Sequence, residues 1–223
     1  MATDSLLNRI NKMDFFAVLP AGFYSVIMIG FWFIEQSNPK NIMEAINPIA
    51  QALKDNPVYL VFLLFAAYLV GSIFRALKVK WAECICPPFH SSFPFSEELN
   101  RALIEIKTSG SKILIDSHLP DIKNGLTNNE FNYWKDVLCI KSERGFEYYE
   151  TFETRTRFSA GMVWAGVVGI VSGSLMFFRG PNIAWQMLVI SLVVYSAFGF
   201  HLLRVRRQES KALLFLYIAL TQP

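Results

Sequence analysis

Cys84, Cys86 and His90 stand close together, and His118 and Cys139 follow in the same polar stretch of the chain. Thiolate and imidazole are ligands that zinc prefers, so a metal centre is the first chemistry to weigh. Structural zinc sites pair their cysteines at C-x(2 to 4)-C spacing, whereas this chain has a single C-x-C and one further cysteine. That pattern favours buried or interfacial thiols over a metal site. The three thiols are expected to be reduced, because the segment that carries them reads as cytoplasmic.

The acidic residues offer no better chemistry. Glu150 and Glu153 lie beside Arg155 and Arg157, where Glu153 and Arg157 have the i,i+4 spacing of an ion pair on a solvated helix face. No phosphate loop, H-E-x-x-H or G-x-S-x-G pattern occurs, so no catalytic group and no cofactor are assigned, and the chain is not expected to be an enzyme.

The elements around these residues are dominated by apolar sequence. Hydrophobic residues make up 53% of the 223, and mean hydropathy is +0.33, more apolar than most soluble domains. They gather in four windows, Phe15 to Ile34, Pro57 to Leu77, Phe158 to Phe178 and Ile183 to Leu203. Each approaches the roughly 20 residues that carry a helix across about 30 Å of hydrocarbon. The expected fold is an all-α integral membrane protein with four transmembrane helices and a small, mainly helical cytosolic insert between the second and third spans.

The first window is long and lacks a convincing small-residue cleavage site after it, which reads as a permanent anchor. Eleven basic residues flank the windows on one side: Arg9, Lys12, Arg75, Lys78, Lys80, Arg155, Arg157, Arg204, Arg206, Arg207 and Lys211. Lys40, Lys54 and Arg179 fall on the other. The positive-inside rule then places both termini and the insert in the cytoplasm. A net charge of only +3 gives no basic field that would point to nucleic acid, and the basic residues read as topology signals and contacts with the lipid bilayer. The windows are nearly free of ionisable groups, with His201 near the end of the fourth, which disfavours ion-coupled transport.

Four segments follow: 1–77, a first hairpin whose external connection 35–56 should form a surface helix with Ile42, Ile46, Ile49 and Leu53 on one side; 78–157, the insert and a stalk; 158–203, a second hairpin turned by RGPN; and 204–223, an amphipathic cytosolic tail. The tail is too short to span, and should lie on the inner surface or pack on the stalk. Within the insert, CPPFHSSFPF is a breaker, Ser96 caps a helix, and KILIDSHL (112–119) leans to a strand. Thr127 and Glu130 form a capping box opening a helix to about Ile140. After a break at Ser142, one long helix is expected from about Phe146 to Phe178.

In GMVWAGVVGIVSG, small residues recur every fourth position at Gly161, Ala165, Gly169 and Gly173. In lipid, helices associate through close packing, and such a stripe lets backbones approach. The stripe serves packing within one subunit or a seam between copies in a homo-oligomer. Phe131, Trp134, Tyr148 and Tyr149 are candidate exposed aromatics for a cytosolic partner.

The layout of four spans, a compact cytosolic insert and no enzymatic motif resembles the small membrane subunits of bacterial anti-phage defence systems of the Kiwa and Hailong types. That resemblance implies a multi-pass protein of the bacterial inner membrane that forms an oligomer and works with a cytosolic protein or nucleotide-derived partner. Two functions are then open: a channel-like effector gated through its insert, or a non-conducting scaffold that recruits a partner.

Overall fold

The computed structural model describes residues 2–33, 41–77, 79–86, 128–178 and 181–221, and every regular element among them is helical. Helix α1 (Ala2–Gly30) runs into a 3-10 turn, Phe31–Phe33. Then come α2 (Ile42–Asp55), α3 (Val58–Ala76), α4 (Val79–Ile85), α5 (Asn128–Lys141), α6 (Glu143–Met176) and α7 (Pro181–Thr221). The helix expected at Ser96 and the strand at 112–119 lie outside the described residues, as do His90, His118 and Thr127.

Three helical stretches are long and apolar enough to cross a membrane: Val58–Ala76, Glu143–Met176 and Asn182–Leu213. In the first window the described apolar run, Ala17–Gly30, belongs to the longer helix α1 and is continued by the 3-10 turn.

Local chemistry sets the helix boundaries. Asn41 caps α2, its Oδ1 accepting from Glu44 N at 2.9 Å. Ser142 is the break between α5 and α6 and also the cap of α6, its Oγ accepting from Gly145 N at 3.0 Å. Pro181 opens α7 at the position where a missing N–H costs nothing. No glycine or proline follows Gly199 before the end of α7, so the segment after Leu203 is the continuation of that helix and not a separate element.

The chain divides into two compact units, the first formed by residues 1–87 and 157–201, the second by 88–156 and 202–223. In the first unit α1 lies against α3 with almost no spacing. A Cβ on Gly22 would fall on the carbonyl of Ala67, and one on Gly71 on that of Val18. Phe15 stacks on Tyr68 alongside, centroids 5.8 Å apart. At one end, Met28, Phe31, Ala45, Met176, Ile183, Ala184 and Met187 form a buried cluster on which Ile42 and Ile46 of α2 rest. Ile42 N donates to Gln186 Oε1 at 2.9 Å, tying the start of α2 to α7. Only 17% of the α3 span is covered by the rest of the chain, which leaves Phe62, Phe65 and Ile73 outward.

In the second unit, Leu138 of α5, Tyr149 of α6 and Leu202, Val205 and Leu213 of α7 are fully or almost fully buried.

Candidate functional site

The small-residue stripe of α6 is occupied by the chain's own helices, and it divides between two of them. Gly161 faces α1, where a Cβ would sit 3.4 Å from that of Ala21, and Ala165 is buried in a cluster with Ala21, Phe74 and Met162. Gly169 and Gly173 face α7: a Cβ on Gly169 would fall on Ser191, and one on Gly173 would lie 3.0 Å from Leu188 Cγ. Four residues advance a helix by 400°, so a stripe with that spacing turns about 40° per step and passes from one neighbour to the next.

Gly166, outside the stripe, comes closest to the backbone of α7. An added Cβ there would lie 2.9 Å from Tyr195 Cα. The pairs Gly173–Leu188, Gly169–Ser191 and Gly166–Tyr195 keep steady antiparallel register, and Ser159 continues it, its Oγ 2.8 Å from His201 Nδ1. Where Gly169 carries no side chain, the hydroxyls of Tyr24 and Ser191 meet at 2.8 Å, joining α1 to α7. A hydroxyl pair satisfied in this way avoids the cost of an unpartnered polar group in an apolar layer. Ser25 meets the same need locally, donating to Ala21 O at 2.9 Å.

The second unit holds a polar cluster centred on the carboxylate of Glu209, which is 1% exposed. Tyr149 donates to its Oε1 at 2.9 Å, while Arg206 Nη1 reaches Oε2 at 2.8 Å. Thr156 Oγ1 lies 2.7 Å from the same Oε2 and 3.0 Å from Phe152 O, sharing one proton between them. A buried charge with three charge-assisted partners has its desolvation offset by hydrogen bonds. Burial first, then the carboxylates of Glu209 and Glu153, push the Tyr149 hydroxyl far above the usual phenol range, so it remains a donor. On the other side of that ring, Lys135 lies 5.6 Å from the centroid and holds Glu153 through both carboxylate oxygens at 2.7 and 2.8 Å. The cluster thus joins α5, α6 and α7.

Tyr149 is not exposed, contrary to the expectation from sequence: it is 1% exposed and faces Glu209. Its neighbour Tyr148 is 56% exposed and packs edge-on against Phe152. Successive helical residues point about 100° apart, which sends one inward and the other outward. Phe131 and Trp134 belong to α5, with side chains outside the described residues. Glu153, expected to pair along its own helix with Arg157, has Lys135 of α5 as an ion-pair partner.

Cys84 and Cys139 are exposed, whereas Cys86 is buried and follows α4, where Ile85 O accepts a hydrogen bond from the Tyr195 hydroxyl. Burial, with help from Glu83 and Cys84, pushes the Cys86 thiol up to about 11. Among the described residues no three His, Cys, Asp or Glu side chains gather as a metal site.

Sequence reading missed Gly22, Gly166, Lys135 and Glu209. Gly22 carries a legible signal, one residue past Ala21 in a helix already rich in small residues. Glu209 carries none, since in RRQESK it resembles any solvated acid. Comparison of the chain with protein-family models, with curated proteins and with solved structures finds no match.

Proposed function

We propose that this protein is an oligomeric, channel-like effector of a bacterial inner membrane, gated through its polar unit by a cytosolic protein or nucleotide-derived partner and serving in anti-phage defence. In this reading α1 supplies a fourth crossing, its short apolar run extended by the 3-10 turn, and both termini and the segment between α3 and α6 are cytoplasmic.

The observation that supports gating is the continuity of α6 and α7. Each is one unbroken helix contributing residues to both units. In the polar unit the two are fastened by the Glu209 cluster; in the apolar unit they meet through Gly166, Gly169 and Gly173 and through the edge-on rings of Phe158 and Phe198. A partner acting on the exposed face around Tyr148 would move helices whose apolar halves can slide or rotate. Because the glycine stripe is used within the chain, assembly falls to the outward faces, of which that of α3 is extensive and apolar.

The test is expression of the chain alone and with its genomic neighbours while a dye reports membrane potential. Depolarisation on triggering, lost when Glu209→Ala and Thr156→Val unfasten the polar halves, supports the effector. An intact potential under every triggering condition, with a partner still co-purifying, replaces it with the non-conducting scaffold, a reading favoured by the exposure of Tyr148 and Ile140.

A further inference from the structure

The chain turns sharply after α3. Val18 meets Gly71 and Ala21 meets Gly161, which sets the last turn of α3 level with the start of the apolar run of α6. Val79 opens α4 at that border. Six positions later Ile85 O accepts from the Tyr195 hydroxyl, and the Cys86 thiol lies within electrostatic reach of the same group. Tyr195 packs on Gly166, nine residues beyond Arg157 and so about 13 Å along α6 from the border. Side chains on a helix slant toward its N-terminus, which for α7 is the Pro181 end, so the hydroxyl leans deeper still. A helix of 7 residues is about 10 Å long, enough to carry the chain from the border to that hydroxyl.

We propose that α4 is a re-entrant helix, entering the cytoplasmic half of the bilayer with Ala82, Glu83 and Cys86 against the protein and Trp81 and Cys84 against lipid acyl chains. Backbone groups at that depth must find their partners inside the protein. Cys86 N donates to Ala82 O and Glu83 O, and Tyr195 supplies the donor for Ile85 O. A helix end in water would need no donor from the middle of a span. The side chains sort in the same way. Lys78 and Lys80 stand at the border end of the segment, whereas Ala82, Glu83 and Cys86 are buried. An acid at membrane depth belongs on the protein side, and Glu83 has contacts within the protein. Trp81 and Cys84, one turn apart, are exposed, and neither carries a charge that hydrocarbon would reject. The proposal rests on insertion of α3, α6 and α7 and not on conduction. Both ends of the segment between α3 and α6 stay cytoplasmic, and only its start turns back into the layer.

Inside-out membrane vesicles carrying the full chain test it, with two thiol reagents read out by peptide mass spectrometry. Iodoacetamide is small and neutral and enters the bilayer; a sulfonated maleimide stays in water. Both should modify Cys139, which is exposed in the polar unit. Cys84 should react with iodoacetamide, but with the maleimide it should react roughly tenfold more slowly than Cys139, or slower still. Shielding by lipid is separated from shielding by protein with a phospholipid that bears a diazirine midway along its acyl chain. On irradiation it should attach to Trp81 or Cys84 and leave the Cys139 peptide unmodified. Equal maleimide rates at Cys84 and Cys139, or an α4 peptide that takes up none of the photoactivated lipid, would each overturn the re-entrant helix.

Discussion

Tyr149 donates its hydroxyl to Glu209 at 2.9 Å, binding α6 to α7 through a phenol and a carboxylate that are each 1% exposed. Removing the hydroxyl leaves one carboxylate oxygen short of a partner at a dry site. Tyr149→Phe should therefore destabilise the polar unit by about 1–3 kcal/mol. Glu209→Ala should cost more, about 3–5 kcal/mol, because it strands Arg206 as well. Chemical denaturation in detergent would measure both. A Tyr149→Phe protein as stable as the wild type would show that the bond contributes nothing net.

The same pair predicts alkaline lability. The Tyr149 hydroxyl is raised above its unfolded value of 10.0, so its contribution is complete below about pH 10 and declines as pH rises beyond that. Melting temperature followed from pH 8 to 11 should fall less steeply above pH 10 in Tyr149→Phe than in the wild type. Parallel curves would assign the alkaline loss to other groups.

Glycine spacing predicts a contrast between two positions in one helix. Gly22 has no room for a Cβ against Ala67, whereas Gly30 has nothing within 4 Å of one. Gly22→Ala should separate α1 from α3 and cost about 1–3 kcal/mol, while Gly30→Ala should be near neutral. Cysteine crosslinking between positions 15 and 68 in each background reports the outcome, and equal crosslinking would contradict the packing.

Thiol chemistry should distinguish the three cysteines. At pH 8, iodoacetamide should modify the exposed Cys84 and Cys139 well before Cys86, whose thiol is buried and raised to about 11. Only near that pH should Cys86 approach the others in rate, as peptide mass spectrometry would show. Uniform labelling at pH 8 would mean that α4 does not shield it.

Charge distribution predicts the orientation. A tag at Asn124 should be cytoplasmic, and Asn182→Cys, at an exposed position beside the turn into α7, should react with an impermeant maleimide in intact cells. Labelling of that cysteine only after lysis would invert the topology.

The amino-acid sequence by itself determined the helical, apolar character of the chain, the break at Ser142 and the long helix after it. Apolar runs, breaks and caps are local properties, written in consecutive residues. Tertiary structure decided which faces meet. The four-residue stripe of α6 is visible in the sequence, but its division between α1 and α7, and the backbone contact at Gly166, follow from where two other helices lie. Tyr148 and Tyr149 are indistinguishable by type, and the inward one is set by a carboxylate sixty residues later in the chain. A buried polar group is tolerable only with its partners, and partners recruited from distant segments leave no spacing to read.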